Sequence, residues 1–441
     1  MARISSKSDI SSSIIEDDSL TFAEKILTLR DEVGNTDRSR VRYAGDFIIS
    51  KVDFTFAHDV QGPLLIEIFK DLGGKRVFDH DKVLLNIDHD FPASSERSAN
   101  LHRIMRNFAK EQGIHIQEGS NCHQYIMENF AVPGMIIVGA DSHTTTMGSV
   151  GSFATGMGSS DVASIFLSGM TWMRVPKTIR INLNGSLKPG VSAKDIAIEI
   201  LGRIGTDGAN YCSIEWTGPG TRNLSMDSRT TLTNLGVEMG AKNSVMEPDK
   251  ITLDFIKSRG RKPLSIIPFG KEAQFYKEID VDLETVNPMV SLPGTPGNAK
   301  PLSEISSGVE IDVVIIGTCT NGRLEDLQKV AAVLKGKKIK QGVRLIVTPN
   351  SREVYSKALS EGVLQTISES GAMVTSPGCG ACAGFSKGLI GEGEVAVFAG
   401  PRNFPGRLGS VKSEIYLASP ETAAYSAIAG KLYSGKNEGD R

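Results

Sequence analysis

The chain has 441 residues, too many for one simple core, so two to four domains are expected. Its 40% hydrophobic and 23% charged residues are ordinary for a soluble globular protein. A formal net charge of -2 argues against a general nucleic-acid binder, and no apolar run approaches the roughly 20 residues that cross a membrane.

The opening stretch, "MARISSKSDISSSIIEDDSL", is rich in Ser and acids. It has no apolar core of a secretory signal, and its acids count against a mitochondrial presequence. Residues 1–19 read as a flexible tail before a helix around Thr21–Arg30. With no export signal, an odd count of five cysteines points to free thiols or metal ligands in a reducing compartment, the cytoplasm.

A first α/β domain is expected over 20–177, with helices at Gly62–Asp71 and Ser95–Gln112 and strands at Val83–Ile87 and Met135–Val138. A second, over 178–286, has strand-like "TIRINLNG" followed by helical "SAKDIAIEILGRIG". Residues 287–303, "NPMVSLPGTPGNAKPLS", carry four prolines and two glycines and read as a linker. The third domain, 304–441, alternates strands (Ile311–Ile316, Val343–Val347, Ala372–Thr375, Glu394–Phe398, Glu414–Leu417) with helical spacing such as Leu324, Leu327, Val330, Leu334. Ser419–Pro420 is a good helix start. Strands alternating with helices imply a parallel sheet covered on both faces, with ligands beyond its carboxyl ends. Cys319, Cys379 and Arg402 each lie three or four residues past such an end.

Cys379 and Cys382 sit together in "SPGCGACAGF", among residues of almost no bulk. Alone, the pair permits half a zinc site, a redox pair, part of an iron–sulfur site or two buried residues. Cys319, in "GTCTNGR", adds a third thiol on another loop at the same sheet edge. Three thiolates on two loops can hold three irons of a four-iron cluster and leave the fourth open as a Lewis acid. Cys122 and Cys212 read as ordinary buried thiols. All seven histidines lie in the first third, so any joint chemistry with these cysteines unites distant segments.

"GADSHTTTMGSVG" sets Asp141, Ser142 and His143 side by side after an apolar strand, either as acid–base groups or as a capped turn. "NIDHDFP" puts Asp88 beside His89, and His123 precedes a helix. Glu215 lies between Ile214 and Trp216, either orienting an imidazole or solvated. Arg402 and Arg407 share a Gly/Pro-held loop suited to carboxylates. "GMGSSD" is a poor dinucleotide fingerprint, with Asp161 where a third Gly belongs.

Taken in order, "DSHT", "GTCTNG", the Cys379/Cys382 pair and "RNFPGR" resemble the aconitase superfamily, from about residue 20 to 432. "TFAEKIL", "AHDVQGP" and "ASPETAAYSAIAGKL" are most similar to its branch of separate large subunits, that of 3-isopropylmalate dehydratase and homoaconitase. The resemblance implies three α/β/α domains, with parallel or mixed sheets, around a 4Fe–4S cluster on Cys319, Cys379 and Cys382. It pairs Asp88 with His89, His123 with Asp141, and His143 with Glu215. It gives Ser142, Arg402 and Arg407 to substrate binding.

The family's swivelling fourth domain supplies the serine base and a further arginine, and the resemblance assigns these to a small partner subunit in a heterodimer or heterotetramer. Two positions depart from the pattern: Pro401 stands where an Asn is frequent, and Pro63 where aconitases place a substrate-contacting Gln. The expected activity is a hydro-lyase acting on a hydroxy di- or tricarboxylate: isopropylmalate (leucine biosynthesis), with homocitrate-type or methylmalate-type acids as alternatives. A non-catalytic metal-binding protein and a nucleotide-binding oxidoreductase are the competing classes.

Overall fold

The computed structural model describes residues 7–32, 41–305 and 308–435. Each of three domains is built on a sheet with helices. The first sheet is wholly parallel, in the order His115–Glu118, Val83–Ile87, Phe54–His58, Ile136–Gly139, Phe153–Gly156. Val83–Ile87 and Ile136–Gly139 are buried at every position, so neither strand alternates apolar with polar residues. Its Glu96–Gln112 helix starts at Ser95, whose hydroxyl accepts from the Ser98 N–H, and stops at Gly113, where φ is +70°.

The second sheet is also parallel: Asn243–Met246, Cys212–Thr217, Lys177–Asn184, Lys277–Asp282. The third has seven strands, five parallel in the order Glu414–Leu417, Val395–Phe398, Val313–Ile316, Arg344–Val347, Met373–Val374. Its final helix, Pro420–Ala429, is capped by Ser419, as the Ser–Pro signal predicted. A two-stranded antiparallel ribbon pairs Phe47–Lys51 with Met170–Arg174. Among the described residues no helix is long and apolar enough to cross a membrane.

Two expectations about segment boundaries need correction. Residues 287–303 are not a free linker: Met289–Ser291 and Ala299–Pro301 form the antiparallel edge of the third sheet. Met289, Val290 and Ser291 are buried there, and Pro301, lacking an N–H, is tolerated on the outermost strand. Within the supposed tail, Lys7–Glu16 forms a helix. Its last turn is tied down by the buried Lys25, whose ammonium donates to the Ile15 carbonyl at 2.9 Å and the Pro268 carbonyl at 3.0 Å.

The first and second domains meet backbone to backbone. A methyl at Gly148 would lie 1.8 Å from the Ser244 carbonyl oxygen, so only glycine fits. Nearby, the Ala154 N–H donates to Asn243 Oδ1 at 3.0 Å.

Glu215 belongs to this framework and not to a histidine pair. Its neighbours Ile214 and Trp216 point into the second-domain core, so strand alternation sends Glu215 to the other face. There its Oε1 accepts from the Phe22 N–H at 2.8 Å, holding the start of the Phe22–Arg30 helix. Glu215 is fully buried, neither solvated nor beside an imidazole.

Burial raises the Glu215 pKa to about 7. A carboxyl raised in the folded state loses stability as pH climbs from its unfolded value through its folded one. Glu215→Gln should therefore stabilise the protein at pH 8 by roughly 2–4 kcal/mol, with a much smaller effect near pH 5. Urea unfolding at the two pH values checks this; equal shifts at both would contradict it.

Candidate active site

The carboxyl ends of the first and third sheets face one cavity of about 410 Å³. His58 ends its strand, Asp88 and His89 follow Ile87, and Asp141 follows Gly139 by two residues. Opposite them, Cys319 follows Ile316, and Arg402 follows Phe398. His89, His123, Asp141, Ser142, His143, Cys319, Cys379, Cys382, Arg402 and Arg407 all line the cavity; Asp88 stands directly behind His89. Glu215 and Pro63 do not line it. Gln61 does, and it accepts from the Ser159 hydroxyl at 2.7 Å.

Asp141 organises one half of the acid–imidazole network. Its Oδ1 lies 2.8 Å from His123 Nε2 and accepts from the His143 N–H at 2.7 Å. Its Oδ2 lies 3.2 Å from His58 Nε2. Because the Val60 N–H donates to His58 Nδ1 at 3.2 Å, the ring proton of His58 is on Nε2, facing Asp141. Burial works to raise the Asp141 pKa, but His123 and His58 outweigh it and hold the carboxyl well below its usual range.

His89 is the centre of the other half. Its Nδ1 lies 3.0 Å from Asp88 Oδ1 and 3.2 Å from Asp59 Oδ1. Asp59 also receives the N–H groups of Asp88, His89 and Asp90 and sits 3.4 Å from His102 Nε2. Burial opposes charge on His89, yet Asp88 and Asp59 prevail and raise its pKa well above the ordinary imidazole value. The His58 and His89 rings stack with centroids 4.2 Å apart.

The partner of His143 is Glu238. His143 Nε2 lies 2.9 Å from Glu238 Oε1, which also accepts from Arg402 Nε at 2.7 Å. Arg402 in turn donates to Ser142 Oγ at 3.0 Å. Burial works to raise the Glu238 pKa, but His143 and Arg402 keep it below its ordinary value. Glu238 is in a short turn after the Met226–Leu235 helix. That helix packs on the turn carrying His143, with Asn234 Nδ2 donating to Thr146 Oγ1 at 2.8 Å.

The three thiols are buried. The Cys379 N–H donates to the Asp88 carbonyl at 2.9 Å, so the thiol loop lies against the first domain. Methyls at Gly378 and Gly384 would come within 2.7 Å of the Asp88 and Arg407 carbonyl oxygens, which is why the loop has almost no side-chain bulk. Cys379 and Cys382 are close enough to interact, which raises the Cys379 pKa and lowers that of Cys382. Arg407 supports the Cys382 thiolate from 2.9 Å. Burial pushes Cys319 up to about 12. Three soft donors converging on one cavity, with a guanidinium against one of them, fit the sulfur ligand set of an iron–sulfur cluster. Neither Cys122 nor Cys212 lines the cavity, although Cys122 is buried just behind it with its N–H donating to Asp88 Oδ2 at 2.8 Å.

His58, Asp59, Gln61 and Glu238 are the site residues that sequence reasoning missed. The strand-end rule that marked Cys319 and Arg402 applies equally to His58 and Asp59. Glu238, in "GVEMGA", carries no comparable local signal.

The chain is similar to known proteins over most of its length. The model of the aconitase family (aconitate hydratase) matches residues 32–430. The 3-isopropylmalate dehydratase large subunit 1 of Methanopyrus kandleri is 43% identical over 417 residues, covering 93% of this chain and 98% of that one. The probable 3-isopropylmalate dehydratase large subunit of Methanothermobacter thermautotrophicus is 42% identical, covering 94% of this chain and 98% of its own. The solved aconitase X of Thermococcus kodakaraensis is similar over 98% of this chain and 97% of its own, at 14% identity and a TM-score of 0.48. A match across nearly the whole chain, with thiols and acid–imidazole pairs sharing one cavity, makes this protein a member of the aconitase family.

Proposed function

We propose that this chain is the large, cluster-bearing subunit of a 3-isopropylmalate dehydratase, a cytoplasmic hydro-lyase of leucine biosynthesis that isomerises 2- and 3-isopropylmalate by removing and re-adding water. The observation that carries the reading is the single cavity, walled on one side by Cys319, Cys379 and Cys382 and on the other by His89, His123 and His143. The names of the 42–43% identical relatives support the substrate. So does the presence of apolar Val60, Met157 and Phe385 in the cavity lining, which suits an alkyl arm.

Cys319, Cys379 and Cys382 would hold a 4Fe–4S cluster. The chemistry it supplies when bound is Lewis acidity toward a hydroxyl oxygen. Arg402 has one nitrogen on Glu238 and another on Ser142, which fixes its fork toward a substrate carboxylate. Ser142 Oγ accepts from Arg402 and lies 3.3 Å from His143 Nδ1, so its hydroxyl is held between a guanidinium and an imidazole. Arg407 balances the thiolate beside it.

His89 is the candidate acid. With Nδ1–H held between Asp88 and Asp59, which favour the protonated ring, it has Nε2 left to protonate the departing hydroxide. In rehydration the imidazole, left neutral by the first step, takes a proton back at Nε2 from the water being added, a return that the same two carboxylates favour. Asp141 and Glu238 orient His123 and His143 around the same space. The base for the carbon-bound proton is assigned to a small partner subunit, consistent with the relatives' designation as large subunits.

Anaerobic co-expression with a candidate small subunit should yield bound iron and sulfide and dehydration of isopropylmalate in preference to homocitrate-type and methylmalate-type acids. Preference for one of the latter would replace the substrate assignment; zinc without iron would remove the cluster. In the same assay Glu238→Gln should lower kcat about 100-fold, while Glu215→Gln stays within about twofold of the parent. The reverse ranking would restore Glu215 as the partner of His143.

A further inference from the structure

Lys194 is an unusual lysine. It is fully buried, and it occupies the first turn of the Ala193–Ile204 helix, where the helix dipole disfavours a cation. Nothing about the fold of the second domain requires an ammonium there. Burial lowers its pKa to about 8, and the groups that oppose this shift are Glu238, Cys319 and Cys382 of the active site, with its neighbour Asp195.

Its hydrogen bond leaves the second domain. Lys194 Nζ donates to the carbonyl of Gly400, at the head of the loop that carries Arg402. A methyl at Gly400 would lie 1.9 Å from the Phe398 ring, so the chain is pressed onto that ring at this point. Two residues on, Arg402 spans Glu238 and Ser142. The adjacent Asp195 receives the Met289 N–H at 2.8 Å, at the inner edge of the third-domain sheet extension. Consecutive residues of one helical turn thus hold two separate points of the third domain.

We propose that Lys194 is a positioning residue of the active site: from the second domain it holds the Gly400 carbonyl, and through it the reach of Arg402, and when protonated it adds a positive charge near the thiol ligands. The bond acts on substrate binding, because Arg402 meets the substrate. The charge acts on the metal group, because a buried cation close to thiolates is poorly screened. These two effects are separable by substitution.

The assignment rests on the cluster-bearing reading above. The test uses the complex with its small subunit, reconstituted anaerobically, in parent, Lys194→Met and Lys194→Gln forms. Lys194→Met removes both bond and charge; it should raise KM for the hydroxy diacid about tenfold and move the cluster midpoint potential to more negative values. Lys194→Gln keeps a donor without charge; it should bring KM back to within about twofold of the parent while the potential stays displaced. If Lys194→Met fails to fold by circular dichroism, the potential of Lys194→Gln decides alone. Parental KM and potential in the variants that fold overturn the role of Lys194. Absence of iron from the parent complex overturns the cluster reading instead, so the two failures are told apart.

Discussion

The hydrogen bond from the Cys379 N–H to the Asp88 carbonyl joins the two chemistries of this protein. It binds the main chain of the thiol loop to the main chain one residue before His89. The placement of sulfur relative to imidazole is therefore set by backbone geometry, with little freedom left to side chains. The contact admits no bulk, because any side chain at Gly378 would strike the same carbonyl. Further bonds extend the seam: the Ser376 hydroxyl donates to the Phe91 carbonyl at 3.2 Å and the Ser386 hydroxyl to the His89 carbonyl at 3.0 Å. Lys387 closes the thiol loop on itself by donating to the Ser376 carbonyl at 2.9 Å.

Around that seam the charges are arranged so that no buried ion stands alone. Asp141 and Asp59 each gather several donors, and Glu238 is shared between His143 and Arg402. Carboxylates satisfied in this way remain ionised despite burial, and they can then hold an imidazole in a chosen tautomer or keep it charged. The histidines consequently differ in role. His58 presents a donor to Asp141, while His89 is held at Nδ1 between two acids, an arrangement that favours its protonated form.

Much of this was legible in the sequence. Runs such as Val83–Ile87 and Glu414–Leu417 are readable with the bounds the structure gives them, because a strand buried at almost every position is mostly apolar, with only Asn86 and Glu414 breaking the pattern. Helix starts at Thr21, Ser95 and Ser419 were readable from their capping side chains. The edge strands within 287–303 were not, since their short apolar stretches lie among prolines that also signal a linker. Nor was the Lys7–Glu16 helix, whose anchor, Lys25, looks in sequence like any surface lysine. Local motifs located the thiols, the DSH turn and the arginines. The partner of His143 is a different kind of problem: it depends on which face of a strand Glu215 occupies and on how the Met226–Leu235 helix packs, and neither is written into the residues flanking His143.

Burial alone would not have separated Glu238 from Glu215, since both are deeply buried acids near a cation or imidazole. Buried ion pairs add little net stability compared with apolar packing, so their presence needs a reason other than holding the fold together. For Glu215 the reason is local: one helix N-terminus needs an acceptor, and a carboxyl raised to about 7 can meet that need without a permanent charge. For Glu238 and its neighbours no such local need exists. His58, His89, His123, His143 and Asp141 line the cavity at the carboxyl end of one parallel sheet, opposite three thiols and two arginines, with Asp59, Asp88 and Glu238 behind the imidazoles. Such a concentration of desolvated charge is costly for a scaffold, and it is understandable only if the groups meet a charged ligand in the cavity they share.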